Sequence, residues 1–170
     1  MSDLKGKNAI ISGASRGIGK SIALRLAKNG VNLVLAARTP APLDEAVKEI
    51  KSATGVRVVG VPTDVSRLSD LENLVQVALK EFETIDILIN NAGVSSQYPF
   101  DKQPLEDLER LAHTNYLGYV RLIRLVIPHM IERKSGAIIN MVSGSVLVEP
   151  VPRNFLVYSS LKVGLRAFSK

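Results

Sequence analysis

Cysteine is absent from the 170-residue chain. The protein therefore forms no disulfide, uses no thiolate nucleophile and binds no zinc through sulfur, and we predict no metal site. The absence suits a reducing compartment, and we expect a cytoplasmic location. No apolar run approaches the length of a membrane span, so none is predicted. The first residues, Met1 to Lys5, lack an apolar signal segment, so nothing marks the chain for export.

A long basic block is also missing, although the formal net charge is +6 and an anionic partner has to be considered. The 22 Lys and Arg residues are scattered and form no basic-aromatic repeat. We attribute most of them to a solvated surface and expect no nucleic-acid partner. The alternative, a basic nucleic-acid-binding domain, would show cofactor-independent binding that weakens steeply with salt.

Short apolar runs alternate with amphipathic segments along residues 1–170, which fit a single domain. The runs are nearly continuous in hydrophobicity and predict strands buried on both faces, at residues 8–12, 31–36, 56–61, 85–89 and 137–142. Helical spacing predicts three helices between the first four strands, a long one over residues 105–131, and a last one from about residue 155 to the end. Parallel neighbours need crossovers, so this order of elements predicts a doubly wound parallel α/β sheet.

The turn after the first strand is rich in glycine. Glycines let the backbone approach a ligand closely, and the free N–H groups of the following helix favour a phosphate. One glycine would suffice for a tight connection without a ligand, so three favour dinucleotide binding. The candidate cofactor-binding residues here are Gly13, Ser15, Arg16, Gly17, Ile18 and Gly19.

The same turn also matches the G-x-S-x-G nucleophile elbow of hydrolases, with His113 or His129 as a possible base. A hydrolase draws its oxyanion hole from a loop after an earlier strand, and only a dozen residues precede Gly13. Both histidines fall in the long predicted helix. The hydrolase interpretation is therefore disfavoured.

The second strand ends without a carboxylate. An acid at this point would bind the adenosine ribose of NAD, whereas Arg38 follows here and suits a 2′-phosphate. Arg16 could reach the same group. Each arginine alone could equally be a solvent-exposed charge, but together, with the acid missing, they predict NADP(H) in preference to NAD(H).

Tyr158 and Lys162 are four residues apart in the last predicted helix and share one face. A nearby ammonium favours a phenolate, which makes a tyrosine a usable general acid/base for carbonyl–alcohol interconversion. This pair alone is a weak signal, since such spacing arises by chance in many helices.

Together with the glycine turn, the Asn90–Gly93 segment and a serine past the fifth strand, the pair resembles the short-chain dehydrogenase/reductase family along the whole chain. The resemblance implies a Rossmann fold and a carbonyl reductase or alcohol dehydrogenase acting on a small or lipid-like ketone or alcohol. It also implies a homodimer or homotetramer that pairs through the last two helices.

The resemblance also assigns catalytic roles. Tyr158 matches the acid/base, and Lys162 matches the lysine that aids its ionisation and binds the nicotinamide ribose. Ser143 matches the serine that orients the substrate oxygen, and Asn115 the residue that supports a water linking the lysine to solvent. Counting back from Tyr158 lands on Ser145 instead; we favour Ser143 because a strand end is the firmer anchor.

Further cofactor contacts follow from the same resemblance. Asp64 and Val65 match an adenine-contacting pair, although Ser66 could simply cap the next helix there. Asn91, Ala92 and Gly93 match a segment that flanks the cofactor and braces the sheet.

Complete members of this family continue past the helix that carries Tyr158, so we expect a fragment of a longer protein. The resemblance then implies a sheet of strand order 3-2-1-4-5, in which the fifth strand is exposed at one edge. The alternative to an enzyme is a nucleotide-binding module without turnover.

Overall fold

The computed structural model describes residues 4–96, 98–147 and 150–170. Strands and helices alternate from the start of the chain. In order they are β1 (Asn8–Ser12), α1 (Gly17–Lys28), β2 (Asn32–Ala37), α2 (Pro40–Thr54), β3 (Val58–Pro62), α3 (Leu68–Phe82), β4 (Ile87–Asn90), α4 (Leu105–Ala112), α5 (Gly118–Glu132), β5 (Ala137–Asn140) and α6 (Leu156–Phe168). None of the described helices is both long and apolar enough to cross a membrane.

All paired strands are parallel and follow the order β3-β2-β1-β4-β5, which confirms the predicted doubly wound sheet. Strand β1 is central and buried along its whole length. The chain order reverses between β1 and β4, and a crevice forms at the carboxyl ends of strands at such a point. The sheet therefore places the turns after β1 and β4 side by side.

The core has two halves, one on each face of the sheet. Side chains alternate along β1, so Ile10 packs with residues of α3 and α5 while Ile11 packs with residues of α1 and α2. Leu74 and Leu122 are fully buried in the first half, and Leu43 is fully buried in the second. This two-sided burial explains why the strands are apolar without alternation.

Three predicted elements are revised. Predicted and observed strand bounds differ by at most two residues, but β5 is an edge strand on which Ile139 is 47% exposed, so its predicted burial on both faces is wrong. The long helix predicted over residues 105–131 is divided into α4 and α5 by a π turn at His113–Leu117. The last helix ends at Phe168.

Gly118, directly after the π turn, shows why the helix passes so close to the sheet. A Cβ at this position would lie 2.6 Å from the carbonyl oxygen of Val65. Only glycine allows this approach, so the first turn of α5 packs directly against the segment after β3.

Candidate active site

The glycine turn uses its glycines for two different reasons. Gly13 and Gly17 have φ of +67° and +57°, which favour glycine, whereas Gly19 is needed because a Cβ there would overlap the carbonyl oxygen of Gly13. Helix α1 begins at Gly17 with no side-chain cap and no acid in its first turn. Its first N–H groups are therefore not satisfied by a capping side chain and can bind an anion.

Ser12 and Asn91 join the turn after β1 to the turn after β4. The Ser12 hydroxyl accepts hydrogen bonds from the backbone N–H groups of Asn91 (2.9 Å) and Ala92 (3.1 Å). The Asn91 amide donates to the carbonyl oxygens of Ser12 (3.0 Å) and Gly13 (3.2 Å). The segment after β4 therefore braces the sheet, as predicted. Ser12 was missed, and its signal is a hydroxyl that ends an otherwise apolar strand.

A cavity of about 470 Å³ lies at the carboxyl ends of the strands, over these turns. Of the predicted cofactor-binding residues, all except Tyr158 and Lys162 line it: Gly13, Ser15, Arg16, Gly17, Ile18, Gly19, Arg38, Asp64, Val65, Asn91, Ala92 and Gly93. The prediction missed six further lining residues: Ala37, Thr39, Pro42, Thr63, Val94 and Thr114. Ala37 ends β2 and Thr63 directly follows β3, so their positions at strand ends are the signal that could have found them.

Arg16 and Arg38 are exposed and line one side of this cavity. Together with Arg110 they also line an adjoining cavity of about 500 Å³. Within the described part of the chain neither Arg16 nor Arg38 forms an ion pair by direct contact. The rim is therefore cationic where β2 ends without an acid.

Asp64 is held as a carboxylate. Burial would raise the pKa of Asp64, but the hydroxyl and N–H of Ser66, with the positive charges of Arg38 and Arg67, outweigh burial and lower it. The Ser66 hydroxyl donates to Asp64 at 2.7 Å. Helix α3 begins after Arg67, and no side chain caps it. The alternative in which Ser66 caps this helix is therefore wrong.

Lys162 is buried beside Tyr158. Its Nζ lies 5.9 Å from the centroid of the Tyr158 ring, and only 2% of the residue is exposed. The ammonium donates to the carbonyl oxygen of Met141 (2.7 Å) and to the hydroxyl of Tyr119 (3.3 Å). Burial lowers the pKa of Lys162 to about 8. The half-buried Tyr158 ring packs edge-on against Phe155, with centroids 5.9 Å apart.

Ser143 and Ser145 both follow the end of β5. The N–H of Ser145 donates to the Ser143 hydroxyl at 3.2 Å, which leaves the Ser143 O–H able to donate. The buried Ser145 hydroxyl has no hydrogen-bond partner among the described residues. The choice of Ser143 stays a prediction.

Asn115 is completely buried in the π turn. Its amide oxygen accepts from the N–H of Val94 (3.0 Å), and its NH₂ donates to the carbonyl oxygens of Val94 (2.9 Å) and Leu111 (3.1 Å). The side chain therefore anchors the segment after β4, and its water-supporting role stays a prediction. Val94, which Asn115 binds, lines the cavity. Tyr119, which contacts Lys162, follows Asn115 by one helical turn.

Asp107 on α4 anchors the same segment from the other side and was missed. It accepts hydrogen bonds from Ser96 (2.7 Å), Gln103 (2.8 Å) and Arg110 (2.6 Å). The Arg110 hydrogen bond is the main reason that the pKa of Asp107 lies below its usual range. The segment after β4 is thus fixed at both ends.

Comparison with known proteins identifies the family. The model of the short chain dehydrogenase family matches residues 7–170. The chain belongs to this family.

Neither His113 nor His129 lines the described wall of the cavity that contains Ser15, so the hydrolase interpretation has no support in the site. The described residues also contain no cluster of three or more His, Cys, Asp or Glu that could hold a metal ion.

Curated relatives of this short-chain dehydrogenase are named as reductases and dehydrogenases. A fatty acyl-CoA reductase of Acinetobacter baylyi is 39% identical over 99% of this chain and 57% of that protein. An NADP-dependent 3-hydroxy acid dehydrogenase of Schizosaccharomyces pombe is 37% identical over 99% of this chain and 65% of that protein. The chain thus spans about half to two thirds of the length of such relatives.

Solved structures of the family superpose closely on this chain. L-sorbose reductase from Gluconobacter frateurii, solved with NADPH and L-sorbose, has a TM-score of 0.92 and 36% identity, over 98% of this chain and 64% of that one. A xylitol dehydrogenase bound to NAD⁺ has a TM-score of 0.91 and 27% identity, over 98% of this chain and 64% of that one. Because these neighbours carry different nicotinamide cofactors, the fold alone does not select one.

Proposed function

We propose that the protein is an NADP(H)-dependent oxidoreductase that transfers hydride between nicotinamide and a carbonyl or alcohol carbon, with Tyr158 as the general acid/base. The observation that carries this proposal is the buried Lys162 ammonium beside the Tyr158 ring. The helix that carries this pair packs against the π turn, where Asn115 binds Val94 at the wall of the cavity that twelve predicted cofactor-binding residues line.

The cavity suits a dinucleotide. A Cβ on Gly13 would lie 2.8 Å from Cα of Ala92, so glycine lets the turns after β1 and β4, which both line the cavity, pack directly against each other. The uncapped start of α1 offers N–H groups to a pyrophosphate. Arg16 and Arg38 supply guanidinium groups for a 2′-phosphate, which supports NADP(H) over NAD(H).

Residues of the chain itself donate the proton to the substrate oxygen and remove it. When bound, the nicotinamide supplies or accepts the hydride. Tyr158 donates a proton to the substrate oxygen during reduction and removes it during oxidation. The Lys162 ammonium favours the phenolate that reduction leaves, and two of its three N–H groups have acceptors in the described chain. We assign Ser143 to orient the substrate oxygen.

Tyr158→Phe tests this function against the alternative of a nucleotide-binding module without turnover. The variant keeps the ring and loses the proton donor. We expect NADPH affinity close to that of the wild-type protein and a loss of turnover of roughly 10²-fold or more. Turnover retained in Tyr158→Phe, or none in the wild-type protein with any ketone or alcohol, would rule out the proposal.

The names of several relatives point to acyl thioesters, among them a 3-oxoacyl-[acyl-carrier-protein] reductase of Staphylococcus epidermidis. We therefore propose the keto group of an oxoacyl thioester as the first substrate class to assay. Free ketones and sugars serve as comparison substrates. Equal kcat/KM for a free ketone and the thioester of the same chain length would contradict this choice.

We also propose a cytoplasmic homodimer or homotetramer that pairs through α5 and α6. Large apolar side chains are exposed on both helices, including Ile131 (67%) and Val163 (50%). Light scattering coupled to size exclusion should give two or four times the monomer mass, and a monomer at micromolar concentration would contradict it. Cell fractionation tests the location.

A further inference from the structure

Tyr119 is a buried phenol that the proposed mechanism does not use. It lies in the first turn of α5, four residues after Asn115, and is 1% exposed. Its hydroxyl accepts a hydrogen bond from the Lys162 ammonium at 3.3 Å. The same ammonium lies 4.6 Å from the centroid of the Tyr119 ring, within the range of a cation–π contact.

A buried ammonium needs such partners because it has lost its hydration. Lys162 forms no ion pair with a carboxylate in residues 4–96, 98–147 and 150–170. The carbonyl oxygen of Met141 and the hydroxyl and ring of Tyr119 are the groups that replace water around it. Tyr119 is therefore half of the described hydrogen-bonding support of this charge.

The other ionisable groups near Lys162 do not take this role. The Tyr158 ring, on the same helix as Lys162, lies at the outer limit of a cation–π contact, with its centroid 5.9 Å from Nζ compared with 4.6 Å for Tyr119, and no described hydrogen bond joins Tyr158 to Lys162. The elements packed against α6 carry further titratable groups, and no described hydrogen bond or ion pair joins any of them to Lys162: His113, Tyr116, Glu106, Asp107, Glu109, Arg110 and Arg153.

Tyr119 itself stays neutral. Burial, and then the neighbouring Tyr158, raise the pKa of Tyr119 well above its usual value. The phenol therefore stays protonated over the range in which an oxidoreductase works. It can support a cation through its oxygen and its ring, but it is not suited to carry protons itself.

We propose that Tyr119 is a positioning residue for Lys162. The hydroxyl and ring of Tyr119 keep the Lys162 ammonium charged and beside Tyr158. The inference rests on the proposed function, in which Tyr158 transfers the proton of the substrate oxygen and Lys162 favours the phenolate. It adds to that function a residue on a different helix, 43 positions away from Lys162.

The direct test is the titration of Lys162 in Tyr119→Phe and Tyr119→Leu. Tyr119→Phe keeps the ring and loses the hydroxyl, whereas Tyr119→Leu loses both. The Cε signal of ¹³C-labelled lysine, assigned with Lys162→Met, reports the pKa by NMR without turnover. We expect Tyr119→Phe to lower the pKa of Lys162 by roughly one to two units, as expected for one lost hydrogen bond to a charged group, and Tyr119→Leu to lower it further.

Tyr116→Phe is the matched control. Tyr116 is a half-buried phenol on the π turn, one helical turn before Tyr119, and its ring faces Gly164 on α6. Removing its hydroxyl should leave the titration of Lys162 unchanged. The proposal is overturned if Lys162 titrates in both Tyr119 variants as it does in the wild-type protein, even where the melting temperature falls.

Kinetics give a second readout. With the ammonium less charged, the pH of half-maximal alcohol oxidation should rise in Tyr119→Phe, and kcat should fall while KM for the alcohol changes little. An unchanged pH profile and kcat would contradict the proposal. If the wild-type protein shows no turnover, the proposed function fails, but the NMR titration still decides whether Tyr119 supports Lys162.

Discussion

Replacing Gly13 by alanine changes the glycine turn where a left-handed backbone and a close approach to another segment coincide. Gly13 combines φ of +67° with the close approach of the segment after β4. A Cβ added to Gly13 would lie 2.8 Å from Cα of Ala92 and 2.9 Å from the side-chain nitrogen Nδ2 of Asn91. Ala92 Cα is a backbone atom, which the hydrogen bonds to Ser12 hold in place. Neither neighbour can move without breaking the brace between β1 and β4.

Two other glycines allow the cost of a left-handed alanine to be measured without a steric clash. Gly17 (φ +57°) and Gly55 (φ +72°) have no atom within 4 Å of the point that an alanine methyl group would occupy. Alanine in the left-handed region costs about 1–2 kcal/mol, and this cost applies at all three sites. The collision at Gly13 adds roughly 1–3 kcal/mol, the range for an overpacked site. Any entropy effect of alanine on the unfolded chain is common to the three variants and cancels in the comparison.

Urea unfolding and NADPH fluorescence titration check this reasoning together. Gly55→Ala should lose a little stability and bind NADPH normally, because Gly55 ends α2 and does not line the cavity. Gly17→Ala should lose similar stability but bind NADPH more weakly, since Gly17 lines the cavity. Gly13→Ala should be the least stable of the three. If Gly13→Ala unfolds at the same urea concentration as Gly55→Ala, the close-approach argument is refuted.

Three further predictions concern charge and the serine pair. Arg38→Ala should weaken NADPH binding roughly 10- to 100-fold by removing a charge-assisted contact, leaving NADH affinity nearly unchanged in the same titration; equal losses for both cofactors would contradict the 2′-phosphate role. Ser143→Ala should reduce kcat/KM far more than Ser145→Ala, and the reverse order in steady-state assays would reassign the substrate-orienting serine. Burial lowers the pKa of Lys162 from 10.5 to about 8, so the folded protein binds fewer protons than the unfolded chain between these values. Stability of the wild-type protein relative to Lys162→Met should therefore rise between about pH 8 and pH 10.5 in urea unfolding, and a relative fall would contradict the assignment.

Local patterns in the sequence determined the order of the elements and the position of the site. Continuous apolar runs that alternate with amphipathic segments predicted a parallel sheet, because parallel neighbours need crossovers, and the family resemblance implied the order β3-β2-β1-β4-β5 that the structure has. Three glycines pointed to the turn that lines the cavity, and the four-residue spacing placed Tyr158 and Lys162 on one helix face. These features depend on neighbours within a few residues, which the sequence displays directly.

Contacts between distant residues were decided only by the tertiary structure. The hydroxyl of Ser12 meets N–H groups 79 and 80 positions later, and Lys162 meets Tyr119 43 positions earlier. The π turn brings Asn115 against Val94, and the edge position of β5 exposes Ile139. No spacing rule links such residues, because their proximity follows from how helices pack on the sheet. The sequence therefore predicted which residues are candidates for the chemistry, and packing decided which side chains lie against them.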